Sequence, residues 1–401
     1  MLYKCWDSAK TFFRDLIRTA PVIIWLVVKI LYNIRKRQIS TLPLQSSFLI
    51  IVTNGIGDTI TALPAIKSIR GRFPDAKIDC LAQPFVVPLL KQIEYIDDAL
   101  PIYKAPFPSS LKKLFFNIFQ IYRLRKKRYS TIIIFASNFC TAWIGFLTGA
   151  KKRCGFSKTE KVGLKTIKNF EFLLTDDYKG ITGSTFVEAH LSLIKAIGLN
   201  VDYPIMPELP VTQLGFQKIE RCLAACGIKE GNKIIVINPC ALQATRIWPF
   251  DKYVSLINKL LQQKDLEIIL TCGPEESGII DSISKRLIKQ VHNLSGKLDL
   301  NEFLALLKKA NLFIGNDSGS MHIAYAVGTK TVAIFGPTDP KTRLLPNAPV
   351  KVVWNKTECS PCYDFGSYDR CYLGHHKCMR ELSAEAVYEA VMEQLNLIKV
   401  S

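Results

Sequence analysis

Short, almost wholly apolar runs recur along this chain, and each breaks off in a cluster of small and polar residues from which a helical pattern sets out. The first is Phe48-Leu49-Ile50-Ile51-Val52, followed by the loop Asn54-Gly55-Ile56-Gly57-Asp58 and apolar residues at helical spacing over 59–72. Strand patterns return over 77–81 and 131–135. After Gly231 the series begins afresh, with strands over 234–237, 267–271, 312–314 and 331–334 and helices over 250–262, 276–288, 300–309 and 321–327. Unbroken Val/Ile/Leu runs belong to strands covered on both faces, and alternation with helices requires crossover connections and a parallel sheet. The proline-rich stretch 203–210 separates the two series, and 401 residues suffice for two domains. The expected fold class is α/β, with two Rossmann-like domains, 47–210 and 211–383, facing across a cleft. Residues 384–401 are expected to form a helix returning toward the first domain.

Hydrophobic residues make up 48% and charged residues 22%, which excludes a disordered chain, a collagen-like fibre and a small disulfide knot. Charge is unevenly spread. Residues 1–180 carry 29 basic and 12 acidic side chains, and residues 181–401 carry 24 and 22, so a polyanionic partner would face the N-terminal half.

Residues 1–46 are a basic amphipathic segment of their own. Phe12, Phe13, Leu16 and Ile17 lie beside Lys10, Arg14 and Arg18, with Trp6 and Trp25 nearby. That pattern suits an in-plane helix on an anionic bilayer; the alternative is a terminal helix packed on the protein's own core. No uncharged apolar run reaches 18 residues, and Arg35-Lys36-Arg37 stands where an export signal would have a cleavage site. A reducing cytoplasm with mostly free thiols is the expected setting, peripheral to the inner membrane.

Residues 104–130 hold 8 basic side chains and no acidic one, interleaved with Phe115, Phe116, Phe119 and Tyr122. A core helix ending in a solvated basic turn accounts for the aromatics but not for the density of charge. With Lys151, Lys152, Arg153, Lys158, Lys161 and Lys165, the stretch suggests a wide positive surface for an anionic lipid or nucleic acid.

Chemistry concentrates in the loops that follow the strands. Gly57-Asp58 lacks the third glycine of a dinucleotide fingerprint and the lysine of a P-loop. Asp58 reads equally as a general base at a crevice and as the cap of the following helix. Arg246-Ile247-Trp248-Pro249 places a cation near the second crevice, where it can neutralise an anionic leaving group. Cys272-Gly273-Pro274-Glu275-Glu276, Asn316-Asp317-Ser318-Gly319-Ser320-Met321-His322 and Phe335-Gly336-Pro337-Thr338-Asp339-Pro340 complete the set. Small residues at a helix start expose backbone N–H groups, which suits phosphate. His322, four residues after Ser318, shares its face.

These motifs, with Leu63-Pro64-Ala65, resemble glycosyltransferase family 9, the lipopolysaccharide heptosyltransferases and their relatives, over about residues 48–398. The resemblance implies a GT-B fold and inverting transfer of a sugar, often heptose from ADP-heptose, to a lipid-linked acceptor. It implies Asp58 as the base and Arg246 at the diphosphate, where the family usually has lysine. It implies Gly57, Glu275, Glu276, Asp317, Ser318, Gly319, His322, Gly336 and Thr338 at the donor. Cys240 departs from the family's usual glycine. A GT-B enzyme stabilises its leaving group with cations and a helix N-terminus, so no catalytic metal is expected, and the chain has no Asp-x-Asp motif. The partners implied are a nucleotide sugar and an anionic lipid-linked acceptor at a membrane surface.

Cys359, Cys362, Cys371 and Cys378, with His375 and His376 between, form a dense group. Free thiols, disulfides and a structural metal, zinc or an iron–sulfur site, are the three readings. Similar Cys-Ser-Pro-Cys and His-Lys-Cys-Met segments belong to the resemblance. Two rival functions are a nucleic-acid-binding protein, against which no binding motif appears, and a catalytically silent scaffold. Asp58→Ala separates the enzyme from both.

Overall fold

The structure is a computed structural model that describes residues 47–103, 110–135, 139–156, 173–178, 185–199, 206–229, 231–345, 347–362 and 370–396. The expected N-terminal amphipathic segment, Lys158, Lys161 and Lys165, and the chain beyond residue 396 lie outside these.

Among the described residues, twelve strands form two sheets. The first contains β1 (Ser47–Val52), β2 (Lys77–Ala82), β3 (Asp98–Pro101), β4 (Thr131–Ile134), β5 (Lys152–Gly155) and β6 (Asp176–Asp177), in the order β3-β2-β1-β4-β5-β6. The second contains β7 (Lys233–Asn238), β8 (Leu266–Leu270), β9 (His292–Asn293), β10 (Leu312–Asn316), β11 (Thr331–Phe335) and β12 (Val350–Trp354), in the order β12-β11-β10-β7-β8-β9. Counted from its own first strand, each sheet has the doubly wound order 3-2-1-4-5-6. Every pairing is parallel: Leu49 lies between Asp79 and Ile132, and Ile314 between Ile237 and Val332. The order reverses between β1 and β4 and between β7 and β10, so a crevice opens at the carboxyl ends of those pairs.

Burial follows from the runs. Phe48 through Ile51 and Leu312 through Ile314 are wholly buried because helices cover both faces. One apolar core joins Ile50 and Ile60 on the first lobe to Met321 and Leu304 on the second. The contact is made by the helix Ile56–Arg72 against the helix Gly319–Ala326.

Two expectations need correction. The first helix begins at Ile56, so Gly57 and Asp58 lie in its first turn and not in a loop. The helix Ala384–Gln394 does not return to the first sheet. Val387, Val391 and Met392 join the core of the second lobe with Trp248 and Leu256, and Lys351 pairs with Glu393 at 2.7 Å. Its apolar face is completed by β10, β11, β12 and the helix Phe250–Leu260.

Charged residues obscured some strands. In Lys152–Gly155, Arg153 lies buried, its guanidinium donating to the carbonyls of Leu173 (2.7 Å) and Ala150 (2.6 Å). No helix of the described residues is long and apolar enough to cross a membrane.

Candidate active site

β1 delivers the chain to Gly55, which precedes the helix Ile56–Arg72. The Gly55 N–H donates to Asp58 Oδ2 at 3.3 Å, so the capping contact is made, by one of the two carboxylate oxygens. Gln83 secures the approach by donating to the Thr53 carbonyl at 2.9 Å. Gly57 meets the other lobe: a Cβ there would fall 2.7 Å from the His322 ring. The close approach that this glycine allows is that of a side chain. Gly319 answers it, with Ile56 3.4 Å from where its Cβ would be. The first turns of two helices, one from each lobe, thus meet where both sheets reverse order.

On the second lobe, β10 ends at Asn316, whose amide fixes the neighbouring loop. It donates to the Pro239 carbonyl (2.8 Å) and accepts from the Trp248 N–H (3.1 Å). Asp317 follows and is buried. Its Oδ2 lies 3.4 Å from Arg246 Nη1 and 3.9 Å from Arg343 Nε, and accepts from the Thr338 hydroxyl at 2.7 Å. Burial alone would raise the Asp317 pKa. The two guanidiniums and Thr338 overcome that and hold it below the usual carboxylate range. Two cations against one carboxylate leave a net positive charge in a buried pocket. Asp317 Oδ1 and Ser318 Oγ are buried there without a hydrogen-bond partner, the condition of groups awaiting a ligand.

His322 is buried among these groups, its Nδ1 2.9 Å from the Tyr325 hydroxyl. Burial pushes its pKa down to about 4, with Asp317 and Asp58 acting against that and Arg343 and Arg246 with it. The ring is therefore neutral at physiological pH. Asp58 and Arg246, expected to act together, both bear on this one ring. Glu276 accepts from the Gly273 N–H at 3.1 Å and so caps its own turn, whereas Glu275 is exposed.

Gly336, expected at the donor, is enclosed elsewhere. A Cβ on it would lie 2.2 Å from Met379 Sδ and 3.3 Å from Cys378 Sγ, and its carbonyl accepts from Trp354 Nε1 (2.9 Å) and the Ser360 hydroxyl. The cysteine-rich segment is a brace. Cys362 N–H donates to the Pro337 carbonyl at 2.8 Å, beside Thr338, and His376 Nε2 lies 2.7 Å from the Thr245 carbonyl, beside Arg246. Burial first, then the nearby Cys362, Cys359 and Cys371, push the Cys378 thiol up to about 12. Among the described residues, a tighter donor group is Cys240, Cys272 and Glu276, with ligand atoms within 4.8 Å of one another. A hydrogen bond from Cys240 holds the Cys272 thiol below its ordinary pKa.

Arg343 and His190 were not singled out in the sequence. Arg343 sits one turn after Asp339-Pro340 and stacks on Phe186 of the first lobe, 4.6 Å from the ring centroid. His190 is buried against Phe135 at 4.8 Å, its pKa lowered by burial against the pull of Thr61 and Asp58. A basic residue at the first turn after a strand-end motif was the available signal for Arg343; for His190 there was none.

Comparison with known proteins accords with this architecture. The family described as glycosyltransferase family 9 (heptosyltransferase) matches residues 120–373. Lipopolysaccharide heptosyltransferase 3 of Escherichia coli K12 is 29% identical over 286 residues, which is 71% of this chain and 80% of that protein. The structure of E. coli ADP-heptose lipopolysaccharide heptosyltransferase II superposes with a TM-score of 0.69 at 20% identity, covering 88% of this chain and 99% of that one. The iron-containing dodecameric glycosyltransferase TibC from enterotoxigenic E. coli superposes with a TM-score of 0.56 at 15% identity, covering 90% and 79%.

Proposed function

This chain belongs to glycosyltransferase family 9, and on that premise we propose that it moves heptose from ADP-heptose onto a lipopolysaccharide-type core, a lipid-linked anionic acceptor presented at a membrane surface. The observation that carries the reading is the buried Asp317, gripped by Arg246, Arg343 and Thr338, next to a neutral His322 that abuts the turn bearing Asp58.

In this mechanism Asp58 takes the proton of the acceptor hydroxyl, and the freed oxygen attacks the anomeric carbon from the face opposite the nucleotide. The bond from that carbon to the diphosphate oxygen breaks, and its electron pair leaves with ADP. Arg246 and Arg343, with the N-terminus of the helix Gly319–Ala326, stabilise the departing charge. Asp317 Oδ1 is an acceptor and suits a sugar hydroxyl better than a phosphate. Ser318 Oγ and the uncharged His322 complete the donor contacts. Glu275, which is exposed, is the better placed of the two glutamates to reach a ribose. The test is a panel of nucleotide sugars: ADP-heptose should give turnover and thermal stabilisation well above the others. Turnover with a different donor and none with ADP-heptose overturns the donor assignment.

We also propose a metal ion on Cys359, Cys362, Cys371 and Cys378. Burial, then the nearby Cys362, Cys359 and Cys371, raise the Cys378 thiol, a crowding of sulfurs that a cation would relieve, and TibC, of the same fold, is iron-containing. Bound there, it would stiffen the brace on Pro337 and Thr245. Metal analysis of protein purified without chelator checks this; the absence of both zinc and iron rejects it.

A further inference from the structure

The helix Leu111–Lys127 packs Leu124 and Ile121 on the first-lobe core yet leaves a second apolar stripe outside. Leu111 (73% exposed), Phe115 (67%), Ile118 (53%), Phe119 (58%) and Tyr122 (54%) face outward, whereas Asn117 and Gln120 are 3% and 4% exposed. Spacings of four, three, one and three place the apolar residues on one stripe, about 17 Å long at helical rise. Polar anchors set this orientation. The Asn117 amide accepts from the Tyr103 N–H (2.9 Å) and donates to its carbonyl (3.1 Å). At the other end Lys127 reaches the buried Asp79 (2.8 Å) and Asp98 (3.1 Å). The core-helix reading is therefore corrected for Phe115, Phe119 and Tyr122, which look out, and holds for Phe116, half-buried with its ring centroid 5.4 Å from that of Tyr103.

Cations rim the stripe. Lys112, Lys113, Arg123, Arg125, Lys126 and Arg128 are exposed. Lys126 lies 4.5 Å over the Tyr122 ring, and Arg123 5.9 Å from the Phe119 ring centroid. At the C-terminal end Tyr122, Arg125, Lys126 and Arg128 line an open cavity of about 330 Å³. Large apolar groups that protrude between cations, beside a basic hollow open to solvent, are what an interfacial helix presents to acyl chains and headgroups.

We propose that the outward face of the helix Leu111–Lys127 docks the first lobe on an anionic phospholipid bilayer, with the hollow beside Tyr122 taking a headgroup phosphate. In purpose this rests on the reading of a lipid-linked acceptor, since it brings the lobe that holds Asp58 to the surface where such an acceptor lies. Its evidence is separate. A second copy of the chain fits poorly, because a twofold contact through this stripe sets like charges against one another. A single-stranded nucleic acid would use the aromatics for stacking, but Leu111 and Ile118 have no ring to stack and the face is a convex helix, not a groove.

The test is co-sedimentation of the full chain with phosphatidylcholine vesicles, with and without a phosphatidylglycerol fraction. Retention should need the anionic lipid and weaken as salt rises. Phe115→Ser/Phe119→Ser should cut it at least tenfold, and Lys112→Glu/Arg123→Glu likewise, each Lys or Arg near the surface accounting for about fivefold. Both variants alter exposed positions, so their melting temperature and turnover on a soluble acceptor fragment should match wild type. Equal vesicle binding by wild type and Phe115→Ser/Phe119→Ser overturns the proposal. So does conversion of a dimer to a monomer by that variant, or nucleic-acid retention that falls in it while vesicle retention does not. Vesicle binding that behaves as expected without heptose transfer sinks the donor assignment and leaves the docking face standing.

Discussion

The helix Leu111–Lys127 and the helix Leu300–Lys309 occupy the same place in the two lobes, each crossing from the third strand of its sheet to the fourth. Both are amphipathic and both end in lysines. In the second lobe Leu304, Leu306 and Leu307 are buried, Asp299 and Glu302 close a capping box, and Lys309 pairs with Glu220 on the covering helix Gln213–Ala225 at 2.7 Å. In the first lobe an apolar stripe points to solvent, while Asn117 and Gln120 share the inner side with Leu124 and Ile121. Amphipathicity fixes that a helix has two faces; what the neighbouring strands and loops offer decides which face is turned in. Asn117 finds a backbone partner at Tyr103 and Lys127 finds Asp79, so polar residues take inner positions beside Leu124.

The division of labour between lobes can be broken at several points. The largest effect is expected from Asp58→Ala, which should lower kcat by about 10²–10⁴ while donor affinity stays near wild type. Unchanged turnover removes Asp58 as the base. Leu307→Ala in the second-lobe helix should cost about 2–5 kcal/mol, read as a lower denaturation midpoint at constant m-value. A loss under about 1 kcal/mol would mean that this face is less packed than its burial indicates.

His322 supplies a pH test with a defined sign. Its folded pKa of about 4 lies below its ordinary 6.5. Above pH 6.5 the ring is neutral in both states and contributes nothing. As pH falls below 6.5 the unfolded chain takes a proton that the folded one refuses, so stability is lost progressively down to about pH 4, by roughly 3 kcal/mol in all. Wild type should lose that much more than His322→Gln between pH 7 and 4; parallel curves would place the ring in a solvated setting. The smallest effect is expected from Phe119→Ala in the first-lobe helix. It should stay within about 0.5 kcal/mol of wild type, in contrast to Leu307→Ala. A large loss there would mean the stripe is covered.

Most of the fold was legible because parallel strands buried on both sides announce themselves as apolar runs. The helix over 300–309 and the central strands of both sheets needed nothing more. Short charged strands such as Lys152–Gly155 escaped, since Arg153 owes its burial to the carbonyls of Leu173 and Ala150, which its own strand pattern does not reveal. The site was legible as a set of loops, not as a geometry. Asp317, Arg246 and Thr338 were singled out separately, but their convergence on one carboxylate is tertiary. At Gly336 the motif was legible but not its packing: its Cα faces Met379 and Cys378, which arrive from a distant part of the chain. The orientation of the helix 384–394 was decided by which apolar surface remained uncovered, a property of the assembled second lobe.

The meeting of Gly57 with His322, and of Gly319 with Ile56, brings the amino ends of two helices into contact. Each such end carries roughly half a positive charge, so the lobes repel one another there except where negative charge is interposed. Asp58 offsets one end, and Asp317, just before the other, is already taken up by Arg246 and Arg343. A diphosphate between them would act as electrostatic mortar, and its departure would loosen the joint, so product release and opening of the molecule become one event.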